Sequence, residues 1–172
     1  MEEEFHNHMR IPWHDYTRKS IGRPITEASL SEKASIIGRT GIMLLSCGTG
    51  AWRVRSSMNT LARELGITCT ADIGLLSIEY TCIDGGNCYT ESLCLFNTGV
   101  NTSKLYRMEL FVNKFSKNCK KMSGDELHTL LDQIHEIHGF YSPPFLGLAA
   151  AVACSALLFY SVADRLRCFV HS

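Results

Sequence analysis

Two imidazoles and a carboxylate, His128, Asp132 and His135, stand at i, i+4 and i+7 of one predicted helix, so they share a face beside its apolar stripe. Those are donor types that zinc accepts. The same spacing also describes a solvated polar edge, and that is the reading adopted: no metal is assigned. His6 and His8 offer two more donors without a third nearby. Cys47-Gly-Thr-Gly50 has the glycines of a phosphate-cradling loop. It lacks the lysine, and it lies between two helices where such loops follow a strand, so a sharp corner accounts for it better. Ser46 and Cys47 precede glycine, yet no Gly-x-Ser-x-Gly elbow exists and no Ser–His–Asp or Cys–His unit assembles. No catalytic residue and no cofactor follow, and the chain reads as not an enzyme. Arg53 and Arg55 sit near a helix start, where positive charge opposes the helix dipole. Arg53 is therefore either a solvated surface charge or one kept for a carboxylate.

The eight cysteines form no Cys-x-x-Cys pair and no zinc-ribbon spacing. Cys82 and Cys88 come out diagonal across a predicted hairpin, which is poor geometry for a bridge. Cys47, Cys69, Cys94 and Cys154 sit among apolar residues as small core side chains. The N-terminus, Met1-Glu-Glu-Glu-Phe5, is acidic and has no apolar stretch of a secretory signal. A reducing compartment with structural thiols is expected.

These side chains need a scaffold, and 172 residues provide one domain plus an appendage. Lys+Arg and Asp+Glu are equal at 17 each, so no basic excess marks a nucleic-acid binder. Residues 1–28 lack helical or alternating periodicity and read as a flexible or loosely docked tail. Ser29-Leu-Ser-Glu32 is a capping box opening a helix with Ala34, Ile37, Gly41, Leu44 and Leu45 on one face. A second helix carries Ala51, Val54, Met58, Leu61, Ala62 and Leu65 on one face, and Gly66 closes it. The period then falls to two. Ile67-Cys69-Ala71 and Leu76-Ile78-Tyr80-Cys82 alternate with polar residues, and Asp84-Gly-Gly-Asn87 is a hairpin turn into a third strand ending near Phe96. Asn101 caps a third helix and Ser123-Gly-Asp-Glu126 boxes a fourth. Residues 29–140 are thus an α+β domain: a small antiparallel three-stranded sheet packed with about four helices.

Phe145 to Ala163 is a run of 19 residues with no charge, opened by Pro143-Pro144 and stopped by Asp164, Arg165 and Arg167. As a helix it spans roughly 28 Å, close to the bilayer core. Gly147, Ala151 and Ser155 recur every four residues, a small-residue face that admits a neighbouring helix. The expectation is one transmembrane helix, 145–163, with a short tail 164–172. Its partners are the lipid bilayer and further membrane helices or a separate permease. Lys120 and Lys121 before the run nearly balance Arg165 and Arg167 after it, so charge alone sets no orientation.

Cys47-Gly-Thr-Gly-Ala-Trp-Arg-Val54, Ala62-Arg-Glu-Leu-Gly66, the Asp84-Gly-Gly86 turn, Gly99-Val-Asn101 and Tyr141-Ser-Pro-Pro144, in that order, resemble the N-terminal part of the bacterial threonine/serine exporter family. The likeness runs from about Ile36 to about Phe159, and Tyr160 to Ser172 departs from it. It implies a cytoplasmic α+β domain attached to a bundle of inner-membrane helices that exports a small polar solute such as threonine or serine. The positions carried over are Gly50, Arg53, Gly99, Asn101 and Pro144, with no catalytic role. Relatives continue through several spans, so the chain reads as truncated after the first. The other possibility is a single-span accessory or regulatory subunit of a separate permease.

Overall fold

The computed structural model describes residues 11–18, 22–96, 98–137, 145, 147–156 and 159–160. The chain divides into two units, Met1–His138 and Gly139–Ser172.

In the first unit, α1 (Leu30–Ser46) and α2 (Ala51–Glu64) pack on a sheet of β1 (Thr68–Ile73), β2 (Ser77–Asp84) and β3 (Asn87–Cys94), and α3 (Thr102–Lys114) and α4 (Gly124–His135) pack on the helices. Both capping boxes form. Ser29 and Ser123 each accept from the third helical N–H, and Glu32 and Glu126 each reach back to the cap. The strands pair antiparallel in the order β1-β2-β3. Asp84 faces Asn87 across Gly85-Gly86, whose φ angles of 54° and 96° are what a tight two-residue hairpin requires. The architecture is α+β, as expected.

α1 is the central element, packed on α2, β2, β3 and α4. Every residue from Glu32 to Leu45 is buried, so its expected single apolar face is in fact a nearly complete cylinder of contacts. Two glycines let it settle onto its neighbours. A Cβ on Gly38 would lie 2.3 Å from the Tyr80 hydroxyl oxygen, and one on Gly41 would lie 2.6 Å from Met58 Sδ. Tyr80 is held end-on there, its Oη 3.0 Å from the Ala34 carbonyl and 2.6 Å from Glu91 Oε2. Tyr16 donates to the other oxygen of Glu91 at 2.6 Å.

That last bond belongs to a stretch expected as a flexible or loosely docked tail. Where it is described, the stretch is docked. Trp13–Thr17 is a 3-10 helix against α1 and α4. Ile25 is fully buried in the core, its N–H donates to the Met122 carbonyl at 2.9 Å, and Pro24 bridges Ser123. Short 3-10 turns carry neither helical nor strand periodicity, so the contacts left no pattern in the sequence. Residues 1–10 lie outside the described residues.

α3 continues into a π-helical turn, Phe115–Cys119, that keeps Phe115 and Cys119 on the inner face. In the second unit, residues 145, 147–156 and 159–160 are helical, and Ser155 Oγ donates to the Ala151 carbonyl at 2.8 Å. Among the described residues no helix is long and apolar enough to cross a membrane. The rest of 145–163 and the tail 164–172 lie outside the described residues.

Candidate functional site

Two constellations concentrate the polar chemistry of the first unit. The first gathers most of the carried-over motif positions at one corner. Gly48, at φ 77°, turns the chain out of α1. Gly50 is the N-cap of α2, its carbonyl accepting from Arg53 N–H at 2.9 Å. Gly99 N–H donates to the Ser46 carbonyl at 3.1 Å, tying the loop before α3 to the end of α1. Asn101 works in both directions. Its Oδ1 accepts from Lys104 N–H at 3.0 Å as the cap of α3, and its Nδ2 donates to the Ile137 carbonyl at 3.1 Å, just past α4. Arg53 lies 3.1 Å from Glu109 Oε1 on α3, with its guanidinium 5.5 Å from the Trp52 ring centre. Arg53 therefore has the carboxylate partner that was one of its two readings. Pro144 lies outside the described residues. Around this corner Trp52, Val100 and Tyr106 are exposed. An open groove of about 400 Å³ on α2 is lined by Trp52, Arg55, Ser56, Asn59, Thr60 and Arg63.

The second constellation was not anticipated, and its centre is Arg39. This arginine is 5% exposed, inside α1. Its Nη1 donates to the His128 carbonyl at 3.0 Å and lies 3.3 Å from His128 Nδ1, while its Nη2 pairs with Asp132 Oδ1. The guanidinium sits 5.7 Å from the Trp13 ring centre, and Trp13 also stacks on His128 at 6.0 Å. His128 Nε2 is 3.1 Å from Ser35 Oγ, and Ser35 donates its own proton to the Glu32 carbonyl at 2.8 Å. With that proton committed and a cation facing Nδ1, His128 is the neutral Nε2–H tautomer. Burial first, then the charges of Arg39 and His14, hold it down to about 3.

His128 is fully buried, which corrects the solvated edge at that position, while Asp132 is half exposed and His135 is exposed, as that edge has them. The three residues do share a face, but α1 and the N-terminal segment cover its His128 end. Both ring nitrogens of His128 are engaged, and among the described residues no cluster is placed to hold a metal ion. Ser35 and His128 resemble half of a hydrolytic triad. An arginine stands where the orienting carboxylate belongs, so the imidazole cannot accept a proton near neutrality and no general base results.

His14 completes the cluster from the N-terminal segment. Its Nδ1 is 2.6 Å from Asp125 Oδ1 and its Nε2 is 2.8 Å from Asp132 Oδ2. Two carboxylates on two ring nitrogens require an imidazolium, and the hydrogen bonds to Asp125 and then Asp132 raise His14 above the usual histidine value. Burial pushes Asp132 upward, yet the hydrogen bonds from His14 and Arg39 outweigh it and hold the carboxyl below its ordinary range. The arrangement is an ion-paired clamp between three segments far apart in sequence. A sequence-level signal did exist: one arginine in the middle of α1 between Ile36-Ile37 and Ile42-Met43, His128 and Asp132 four apart, and a Trp13-His14 pair upstream.

A family model described as "Putative threonine/serine exporter" (ThrE) matches residues 35–171. The match takes in 160–171, so the tail expected to depart from the family is part of the resemblance. No curated protein and no solved structure matches the chain. The matched region runs from Ser35 within α1 through α4 and takes in the apolar run, leaving out the N-terminal segment and the first turn of α1. The chain belongs to the threonine/serine exporter family.

Proposed function

We propose that this chain is the N-terminal part of an exporter of small polar solutes such as threonine or serine. In this reading 29–140 is a cytoplasmic domain and 145–163 a helix in the inner membrane that packs against further membrane helices. The family match carries the proposal. The apolar run supports it through its small-residue face and through Ser155, whose hydroxyl is satisfied within its own helix, as a polar group in lipid must be. The bonds of Gly99 and Asn101 support a bracing role for these motif positions, with Gly50 capping α2 beside them. They brace the end of the domain from which the chain runs on toward residue 145, and Arg53 fixes α2 to α3 at the same corner.

A polar solute needs a cavity lined by several helices, and these 172 residues carry one long apolar run. A second reading is a single-span subunit that assembles with or regulates a separate permease, which would contribute the other helices of such a cavity.

Two measurements test these readings. After membrane fractionation the chain is expected in the pellet and resistant to an alkaline wash; recovery in the soluble fraction overturns both. In cells preloaded with threonine or serine, expression of the exporter of which this chain would be the N-terminal part is expected to speed efflux. Efflux that requires a stably co-purifying permease selects the second reading.

A further inference from the structure

Cys69 on β1 and Cys82 on β2 are directly opposed partners in the antiparallel register. Opposed residues on antiparallel strands project from the same face with Cα atoms about 4.5–5.5 Å apart, inside the range of about 4.4–6.8 Å that a disulfide spans. Both side chains are buried toward the core and both are free thiols. The other cysteines of the sheet are placed differently. Cys88 faces Ile83 and Cys94 faces Ser77, and both are exposed.

We propose that Cys69 and Cys82 are a peroxide-sensitive dithiol that closes into a reversible cross-strand disulfide. This inference is independent of the exporter reading. Cys69 is the attacking sulfur. It lies on an edge strand and is 7% exposed where Cys82 is fully covered. The hydrogen bond from Cys82 also lowers its thiol below the ordinary range despite its burial, while Cys82 is pushed up. The Cys69 thiolate attacks one oxygen of hydrogen peroxide; the O–O bond breaks, and hydroxide leaves and is protonated to water. The resulting sulfenic acid on Cys69 is then attacked by the Cys82 sulfur. The S–O bond breaks, and the departing hydroxide carries off the Cys82 proton as a second water. Two thiols are oxidised to one disulfide while one peroxide is reduced to two waters, and a thiol reductant reverses the change. A small oxidant suits a pair this covered. The closed bridge would pin the connection between β1 and β2, where Leu75 stands 85% exposed.

The experiment treats the full-length chain with graded hydrogen peroxide, alkylates the remaining thiols and maps the peptides by mass. The expected result is a linked Cys69–Cys82 peptide two hydrogens lighter than its parts. Both thiols should vanish together and return with dithiothreitol. In C82S the bridge should be absent and Cys69 should be trapped by dimedone as a sulfenic acid. C88S, altered only at an exposed thiol, should still give the Cys69–Cys82 link, which keeps the test intact if C82S fails to fold. Cys69 and Cys82 remaining alkylatable while Cys88 and Cys94 oxidise would overturn the proposal. So would Cys69 linking mainly to any other cysteine.

Discussion

The rings of His14 and His128 lie 5.7 Å apart and hold opposite protonation states. His14 is kept charged by Asp125 and Asp132, and His128 is kept neutral by burial and by Arg39. One carboxylate, Asp132, serves both the arginine and the charged histidine, so the pair is linked through a shared acceptor.

Opposite shifts give opposite pH dependences. His128 titrates near 3 when folded and near 6.5 when unfolded, so below pH 6.5 the unfolded chain binds a proton that the folded one refuses. Stability should therefore fall as pH drops from 6.5 toward 3, by up to about 1.4 kcal/mol per pH unit from this residue. His14 works the other way. Its contribution is complete below pH 6.5 and is lost as pH rises through its raised value. Because His14 and its partners are half exposed, that loss should be below about 1 kcal/mol. Urea denaturation across a pH series measures both limbs. His128→Gln should flatten the acid limb and His14→Gln the alkaline one. An acid limb unchanged in His128→Gln assigns the effect elsewhere.

Arg39→Met removes the buried charge that Asp132 and His128 are arranged around. The expected cost is about 1–2 kcal/mol, below that of a fully buried pair, because Asp132 is half exposed and keeps His14 as its partner. Without the cation beside Nδ1, the His128 titration should also move upward, which NMR of its ring C–H reads directly. A shift in stability with no movement of His128 would show the two to be uncoupled.

Gly38→Ala sets two effects against each other. Alanine gains up to about 1 kcal/mol of helix propensity. Its Cβ, however, would fall 2.3–2.7 Å from the Tyr80 hydroxyl and ring, which is pinned between Ala34 and Glu91. Overpacking of about 1–3 kcal/mol should win, lowering the melting temperature. Adding Tyr80→Phe should restore only part of the loss, because the ring carbons 2.5 and 2.7 Å away remain.

Asn101 separates its two bonds by substitution. Asn101→Asp keeps the acceptor that caps α3 and loses the donor to Ile137; Asn101→Ala loses both. The alanine variant should cost about 1–2 kcal/mol. The aspartate variant should cost less than that and should increase hydrogen exchange around Ile137. Equal losses in the two variants would show the cap to be unimportant.

Local rules carried the fold. The two capping boxes, the Gly85-Gly86 turn, the Asn101 cap and the alternation of Ile78, Tyr80 and Cys82 act within a few residues of themselves, so their consequences stand in the sequence. The Arg39 cluster does not work that way. Its members are separated by 93 positions between Arg39 and Asp132 and 118 between His14 and Asp132, and no periodicity records such a meeting. The same holds for Cys69 and Cys82, whose opposition depends on a register that becomes fixed only once the strands pair. At the motif corner the residue types were legible, but their bonding partners Ser46, Glu109 and Ile137 were not.

The bond from Asn101 to Ile137 makes this corner a mooring. A tug arriving along the backbone from downstream would load the asparagine amide at once, and through Gly99 and Ser46 it would reach the rear of the central helix while α4 stayed wound.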